Sequence, residues 1–215
     1  MRLFLDTANI DDIRRCAAMG VVSGVTTNPT LLAKEGVEYR DRILEICEVV
    51  DGPISAEGVA LTADELVEEG RRIASWHESV VVKVAMTEPG LEAISRLAAE
   101  GISTNCTLIF SANQVLLAAR AGATFVSPFV GRLDDGGQDG MEMVREAVQI
   151  LETFHLPAQV LAASLRHTRH VTEAALAGAH VATVPPAVLL QMVKHPLTDA
   201  GIERFLADSA NYSAV

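Results

Sequence analysis

Lys83 stands inside VVVKVA, an apolar, β-branched run that reads as a strand. Removal from bulk water disfavours the ammonium relative to the neutral amine, and a neutral lysine amine adds to carbonyls to form a Schiff base. Two acids close other apolar runs, Asp6 at the end of RLFLD and Glu57 at the end of ISAE. Imine formation needs proton transfer as the carbinolamine loses water, and aldol cleavage needs a base for the hydroxyl that becomes a carbonyl. Two carboxylates suffice to divide these tasks. The same residues have structural readings: Lys83 paired with Glu57 or Asp6 would bridge layers of a core, a reading of similar weight from strand position alone, and Asp6 ahead of TAN has the spacing of a helix cap, the lesser reading and one compatible with catalysis. Arg132 and Arg166 carry planar, permanently charged forks of the kind that grip phosphate at two points. Two further patterns carry little. HTRH at His167–His170 lacks the glutamate of a zinc-protease helix and reads as surface histidines. DDGGQDG at Asp134–Gly140 has Arg145 where a calcium loop requires Glu and reads as a mobile turn. No metal site is expected, and Trp76 and Met192 read as packing residues.

The elements that must position these groups recur regularly. Short apolar runs lie at Leu3–Leu5, Val22–Thr26, Ile54–Glu57, Val80–Val84, Ile102–Thr107, Thr124–Ser127, Gln159–Ala163 and Val181–Val184. Amphipathic stretches at helical spacing separate them, among them Ala63–Trp76 and Met141–Phe154. Thr62 with Glu65 has capping-box spacing, Ser111 precedes an Ala- and Leu-rich run, and Gly101 and Gly122 suit helix ends. Strict alternation implies parallel strands with right-handed crossovers, and eight units of about 27 residues fit an α/β single-domain (β/α)8 TIM barrel. A doubly wound open sheet is disfavoured because TANIDDI after the first strand holds no glycine-rich phosphate loop. An extra C-terminal helix is expected over Asp199–Ala207, with residues 198–215 forming a helix and tail that contact a neighbouring subunit through Phe205 and Leu206. In such a barrel chemistry sits at the carboxyl ends of the strands. The polar residues there are Asp6; Thr26, Thr27 and Asn28; Glu57; Lys83; Asn105 and Thr107; Ser127 and Arg132; Ser164 and Arg166; and Thr183.

Composition narrows the function classes. At 215 residues the chain suits one domain, and its 49% hydrophobic and 21% charged content is that of a folded globule. A formal charge of -11 disfavours nonspecific nucleic-acid binding. Three scattered cysteines without CxxC spacing suit a reducing compartment. The N-terminal MRLFLDTAN reads as no secretory signal, and no apolar run nears the roughly 18 residues of a membrane span. The expectation is a soluble cytoplasmic protein.

LFLDTAN, GVTTNPTLLAKEG, the lysine strand followed by MT and GL, TNCTLIFS, SPFVGRLDD and HPLTD, in this order over nearly the whole chain, resemble the transaldolase family, in particular its short bacterial and archaeal branch. The resemblance implies Lys83 as Schiff-base lysine, Asp6 as the base for the C4 hydroxyl, and Glu57 as acid-base group working through a water beside Thr107. It implies that Asn28, Asn105 and Ser127 hold sugar hydroxyls and the dihydroxyacetone unit, that Arg132 and Arg166 bind phosphate with Ser164 nearby, and that Phe129 lines the pocket. The implied reaction passes dihydroxyacetone from fructose 6-phosphate to erythrose 4-phosphate, giving glyceraldehyde 3-phosphate and sedoheptulose 7-phosphate. The implied partners are sugar phosphates, no cofactor is called for, and the branch commonly assembles as pentamers or decamers. The sibling activity, fructose 6-phosphate aldolase, has Gln in place of Glu57 and Tyr in place of Phe129, which favours the transferase. The sequence departs from the family pattern at Gly58, Ala85, Pro186 and Ala187, which bears on substrate preference. A sugar-phosphate-binding barrel without chemistry would be expected to lose Lys83 or Asp6, and both are present.

Overall fold

In the computed structural model, which describes residues 1–210, eight parallel strands close into a barrel in sequence order. They are β1 (Arg2–Asp6), β2 (Val22–Thr26), β3 (Ile54–Glu57), β4 (Val80–Ala85), β5 (Thr104–Ile109), β6 (Phe125–Pro128), β7 (Gln159–Ala162) and β8 (Val181–Val184), with β8 pairing back onto β1. Around them lie α1 (Ile10–Ala17), α2 (Pro29–Ala33), α3 (Tyr39–Val49), α4 (Ala63–Ala74), α5 (Glu88–Ala99), α6 (Ala112–Arg120), α7 (Val130–Asp135), α8 (Gly140–Thr153), α9 (Thr168–Leu176) and α10 (Pro186–Met192), followed by a terminal α11 (Pro196–Ser209). This is the (β/α)8 barrel with an added helix that the alternation predicts. Among the described residues no helix is long and apolar enough to cross a membrane.

Side-chain alternation divides every strand between two cores. Outward residues such as Leu5, Val25, Ile54, Val82, Cys106, Val126, Val160 and Val184 join the large cluster beneath the helices. That cluster includes Leu66, Val67 and Ile73 of α4 and Met143, Val144 and Leu151 of α8, at helical spacing on one face. Each such aliphatic side chain, fully buried, stabilises the fold by about 1.5–3 kcal/mol before entropy is counted. Inward residues Phe4, Val81, Phe125, Leu161, Ala163 and Val181 form a separate apolar plug inside the barrel. Gly24 belongs to this plug by absence, since a Cβ there would stand 2.7 Å from the Phe4 ring and 2.7 Å from the Pro53 carbonyl. One step further along, the same parity turns Asp6, Thr26, Glu57, Lys83, Asn105, Ser127 and Thr183 into the upper interior.

Local chemistry explains where the elements depart from expectation. The fifth strand starts at Thr104 and not at Ile102, because Gly101 adopts a left-handed φ of 75° and the Ile102 N–H returns to the Leu97 carbonyl to close α5. Two short helices, α2 and α7, were not anticipated; Asn28 caps α2 by accepting from the Leu31 N–H at 2.9 Å, with Pro29 as its first residue. Asp6 is not a helix cap: Asn9 caps α1, accepting from the Asp12 N–H at 3.0 Å. The predicted capping box of Thr62 and Glu65 is present, and α8 is capped by Asp139. The terminal helix begins three residues earlier than Asp199, because His195 accepts from the Leu197 N–H and Pro196 opens the first turn. It holds no buried residue, and Leu197, Phe205 and Leu206 are exposed. The part of the expected tail at 211–215 lies outside the described residues.

Candidate active site

The Lys83 side chain enters the barrel and is 5% exposed. Its Nζ lies 2.9 Å from Glu57 Oε2 and donates to the Thr27 carbonyl at 3.0 Å. The register of β3 against β4 sets Glu57 directly beside Lys83, so the carboxylate is held on the next strand at the same height. The layer-bridging ion pair is thus present, and it leaves the Lys83 amine at the wall of the barrel interior. Asp6, on the far side of β2 from Glu57, accepts from the Thr26 hydroxyl at 2.9 Å. Burial pushes the Asp6 carboxyl above its ordinary range, opposed by the charge of Lys83 and the hydrogen bond from Thr26.

Two adjoining chambers open over these groups. The inner, of about 120 Å³, is lined by Asp6, Asn28, Lys83, Asn105, Thr107, Ser127, Phe129, Arg132 and Ser164, together with Thr26 and Thr183. The outer, of about 350 Å³, shares Asn28, Lys83, Thr107, Phe129 and Arg132 with it and adds Glu57 and Leu108. Ten of the eleven candidate residues therefore line one chamber or the other. The exception is Arg166, whose guanidinium forks onto both oxygens of Asp135 and lines neither chamber. Hydrogen bonding from Arg166 holds the Asp135 carboxyl below its usual value. Arg132 lies over the Phe129 ring, 5.1 Å from its centroid, and Phe110 packs against the same ring in a T-shaped pair with centroids 5.8 Å apart.

The walls are tightly determined. Asn105 donates to Ser55 at 3.1 Å and accepts from Ser127 at 2.6 Å, so three strands are tied together just below the lysine. Ser55 was not singled out by the sequence, although it shares the inward parity of Glu57 two residues on. Thr107 Oγ1 is buried and has no hydrogen-bond partner among the described residues, so a polar group in the chamber would satisfy it. Leu108 and Ser164 adopt left-handed φ angles of 57° and 59°, unusual for residues with side chains, and both border the site. Leu108 lies within a register shift between β5 and β6 that interrupts their pairing between Cys106 and Ile109, where it resumes with Pro128. Gly131 lets the β6 loop approach the β7 loop: a Cβ there would lie 2.4 Å from the Ser164 carbonyl and 2.6 Å from Arg166 Nε.

The decoy patterns resolve into structure. His170 is buried and not a surface histidine; its Nε2 lies 3.0 Å from Asp134 and its ring packs against His167, which caps α9. Asp134 and Asp139 accept from the N–H groups of Gly140, Met141 and Glu142, so two acids of DDGGQDG close the turn into α8. Trp76 packs edge-on against Tyr39, whose hydroxyl donates to the Glu57 carbonyl at 3.1 Å.

A family model described as transaldolase/fructose-6-phosphate aldolase matches residues 3–214. Among curated proteins, one named probable transaldolase from Herpetosiphon aurantiacus is 61% identical over 208 residues, covering 97% of this chain and 94% of its own. A second of that name from Roseiflexus sp. is 61% identical over 209 residues, covering 97% and 96%, and one from Bacillus cereus is 56% identical over 208 residues, covering 97% of both. The barrel, its buried lysine and this likeness over almost the full length agree, and the chain belongs to the transaldolase/fructose-6-phosphate aldolase family.

Proposed function

We propose that the chain is a transaldolase acting through a Schiff base on Lys83. The observation that carries this reading is a single buried amine at the floor of a closed-walled cavity, 2.9 Å from one carboxylate and electrostatically coupled to a second. Glu57, bonded to Nζ, is the group to take its proton, and the freed amine attacks the C2 carbonyl of fructose 6-phosphate. Loss of water from the carbinolamine leaves a protonated imine. Asp6 removes the C4 hydroxyl proton, the C3–C4 bond breaks into the imine, and glyceraldehyde 3-phosphate departs. The remaining enamine attacks the aldehyde carbon of erythrose 4-phosphate, and hydrolysis releases sedoheptulose 7-phosphate. The protonated imine is the electron sink, so the route calls on no metal or organic cofactor. Asn28, Asn105, Ser127 and Thr107 supply hydroxyl and amide partners along the sugar, and Arg132 takes the phosphate. Arg166 and Ser164 join Arg132 once phosphate draws the Arg166 fork from Asp135, a solvent-exposed pair that water and salt screen.

Transfer is favoured over aldol release because the Phe129 ring, which lines both chambers, offers no hydroxyl to activate water at the imine. Borohydride trapping with fructose 6-phosphate and intact mass tests the imine. A coupled assay with and without erythrose 4-phosphate tests transfer: free dihydroxyacetone should be scarce in wild type and rise in Phe129→Tyr. Release as fast as transfer in wild type would replace the transaldolase reading with the aldolase one. We further assign the exposed apolar side chains of α11 to a contact with a second copy in a pentamer or decamer, and place the enzyme in the cytoplasm. Truncation before Asp199 should lower the mass measured by light scattering, and an unchanged mass removes that assignment.

A further inference from the structure

Thr26 Oγ1 carries one proton and has two close neighbours, Asp6 Oδ1 at 2.9 Å and Thr183 Oγ1 at 2.6 Å. Both threonines are 2% exposed. β2 and β8 flank β1, so the two hydroxyls meet across the inward face of the strand that bears Asp6. An ionised carboxylate only accepts. With Asp6 ionised, the Thr26 proton is committed to it, and the 2.6 Å contact then requires Thr183 to donate to Thr26. The chain therefore has one direction, from Thr183 through Thr26 to Asp6, for as long as Asp6 is a base. A hydroxyl that accepts a hydrogen bond is a stronger donor, which ties Thr183 to the carboxylate it does not touch.

We infer that Thr183 is a positioning residue for carbon–carbon cleavage, holding Asp6 through Thr26 as an oriented, proton-accepting carboxylate. The inference rests on Asp6 being the cleavage base, as proposed above. The ionisable groups sharing this space with Asp6 are Lys83 of β4, whose charge acts on it, Glu57 of β3, bonded to Lys83, and Arg132 of α7 at the chamber wall. β2 and β8 bring only hydroxyls into the chamber, Thr26 and Thr183. The relay is thus the part of the Asp6 environment that is removed without changing any charge.

Thr183→Val keeps the shape and deletes the donor. The carboxylate loses support, so the pH below which cleavage fails moves upward by on the order of half to one unit, a loss of roughly three- to tenfold on the acid side that vanishes at alkaline pH. Single-turnover release of glyceraldehyde 3-phosphate from fructose 6-phosphate, followed across pH, reads this directly. Thr183→Ala should shift the limb alike, and Thr183→Ser should restore it. Borohydride trapping of the imine with dihydroxyacetone, which needs no Asp6, should keep its wild-type pH dependence in all three. A limb that stays in place, or a rate loss equal at every pH and unrescued by Ser, would mean that Thr183 only packs the barrel and overturns the inference. Absence of any reducible adduct in wild type would instead overturn the Schiff-base reading, and the relay with it.

Discussion

Lys83 is the counter-ion of Glu57 in this structure and the nucleophile of the proposed reaction, and mutation separates the two parts. Lys83→Met retains the aliphatic stem and removes the amine, leaving the Glu57 carboxylate without the partner that lay 2.9 Å away. Breaking a buried pair from one side costs about 3–5 kcal/mol. The side chains are 6% and 13% exposed, and Glu57 opens on the outer chamber where water relieves part of the penalty, so the low end applies, about 3 kcal/mol. For a chain of this length that corresponds to a melting temperature lowered by about 6–12 °C at fixed protein concentration. Adding Glu57→Gln should return about 2 kcal/mol of the loss, because the stranded charge is gone, and the two singles and the double close a mutant cycle. The adduct tells a different story: neither Lys83→Met nor the double variant should yield borohydride-stable label with fructose 6-phosphate at any pH. Denaturation midpoints and intact mass on the same samples give both readings. A single variant as stable as wild type would show that the pair contributes nothing to the fold, and retained label on another lysine would move the chemistry away from Lys83.

Asp6→Ala should form the imine and stall before cleavage, so that trapped adduct from fructose 6-phosphate accumulates without glyceraldehyde 3-phosphate; normal release would leave Asp6 with a structural part only. Arg132→Ala should weaken phosphorylated substrates by about ten- to a hundredfold while sparing dihydroxyacetone, since a hydrogen bond to a charged group contributes about 1.5–3 kcal/mol. Arg166→Ala should do the same if phosphate captures its fork from Asp135, and equal losses for both kinds of substrate would contradict phosphate recognition. Burial holds His170 and His180 below the ordinary histidine value of 6.5, so the unfolded chain binds protons first as pH falls. Their contribution to stability should be complete above pH 6.5 and decline as pH falls below it. His170→Gln should flatten that decline in a denaturant series.

How much of this was legible in the chain follows from the parity of its strands. In β1, β4 and β8 an inward apolar residue is followed two positions later by an inward polar one, as Phe4 by Asp6, Val81 by Lys83 and Val181 by Thr183. A polar residue at an inward position of an otherwise apolar strand is costly unless partnered, so Lys83 and Asp6 announce themselves as structural or chemical groups before any fold is known. Ser55 obeys the same rule in ISAE but is small and common, and nothing in the pattern distinguishes it from a tolerated serine; its significance lies in Asn105, fifty positions on. Arg166 was legible as a fork and Asp135 as a turn residue, yet their pairing depends on Gly131 letting two loops come close, a property of three-dimensional approach that no spacing encodes.

Parity decides whether a side chain faces in or out, whereas height along the barrel axis depends on the stagger between strands. The register of β1 on β2 shifts between Leu3 and Leu5, and that of β5 on β6 between Cys106 and Ile109. These shifts settle which inward residues share a level. The 2.6 Å contact of Thr26 with Thr183, on strands that are not neighbours, exists because of such a level and could not be derived from either strand alone. The catalytic candidates were thus readable as residues, while the hydrogen bonds that orient them belong to the closure of the barrel. That division also says where substitutions should matter most quietly: at Ser55 and Gly131, whose hydroxyl and missing side chain set the geometry of Asn105 and Arg166, and, on the relay proposed above, at Thr183.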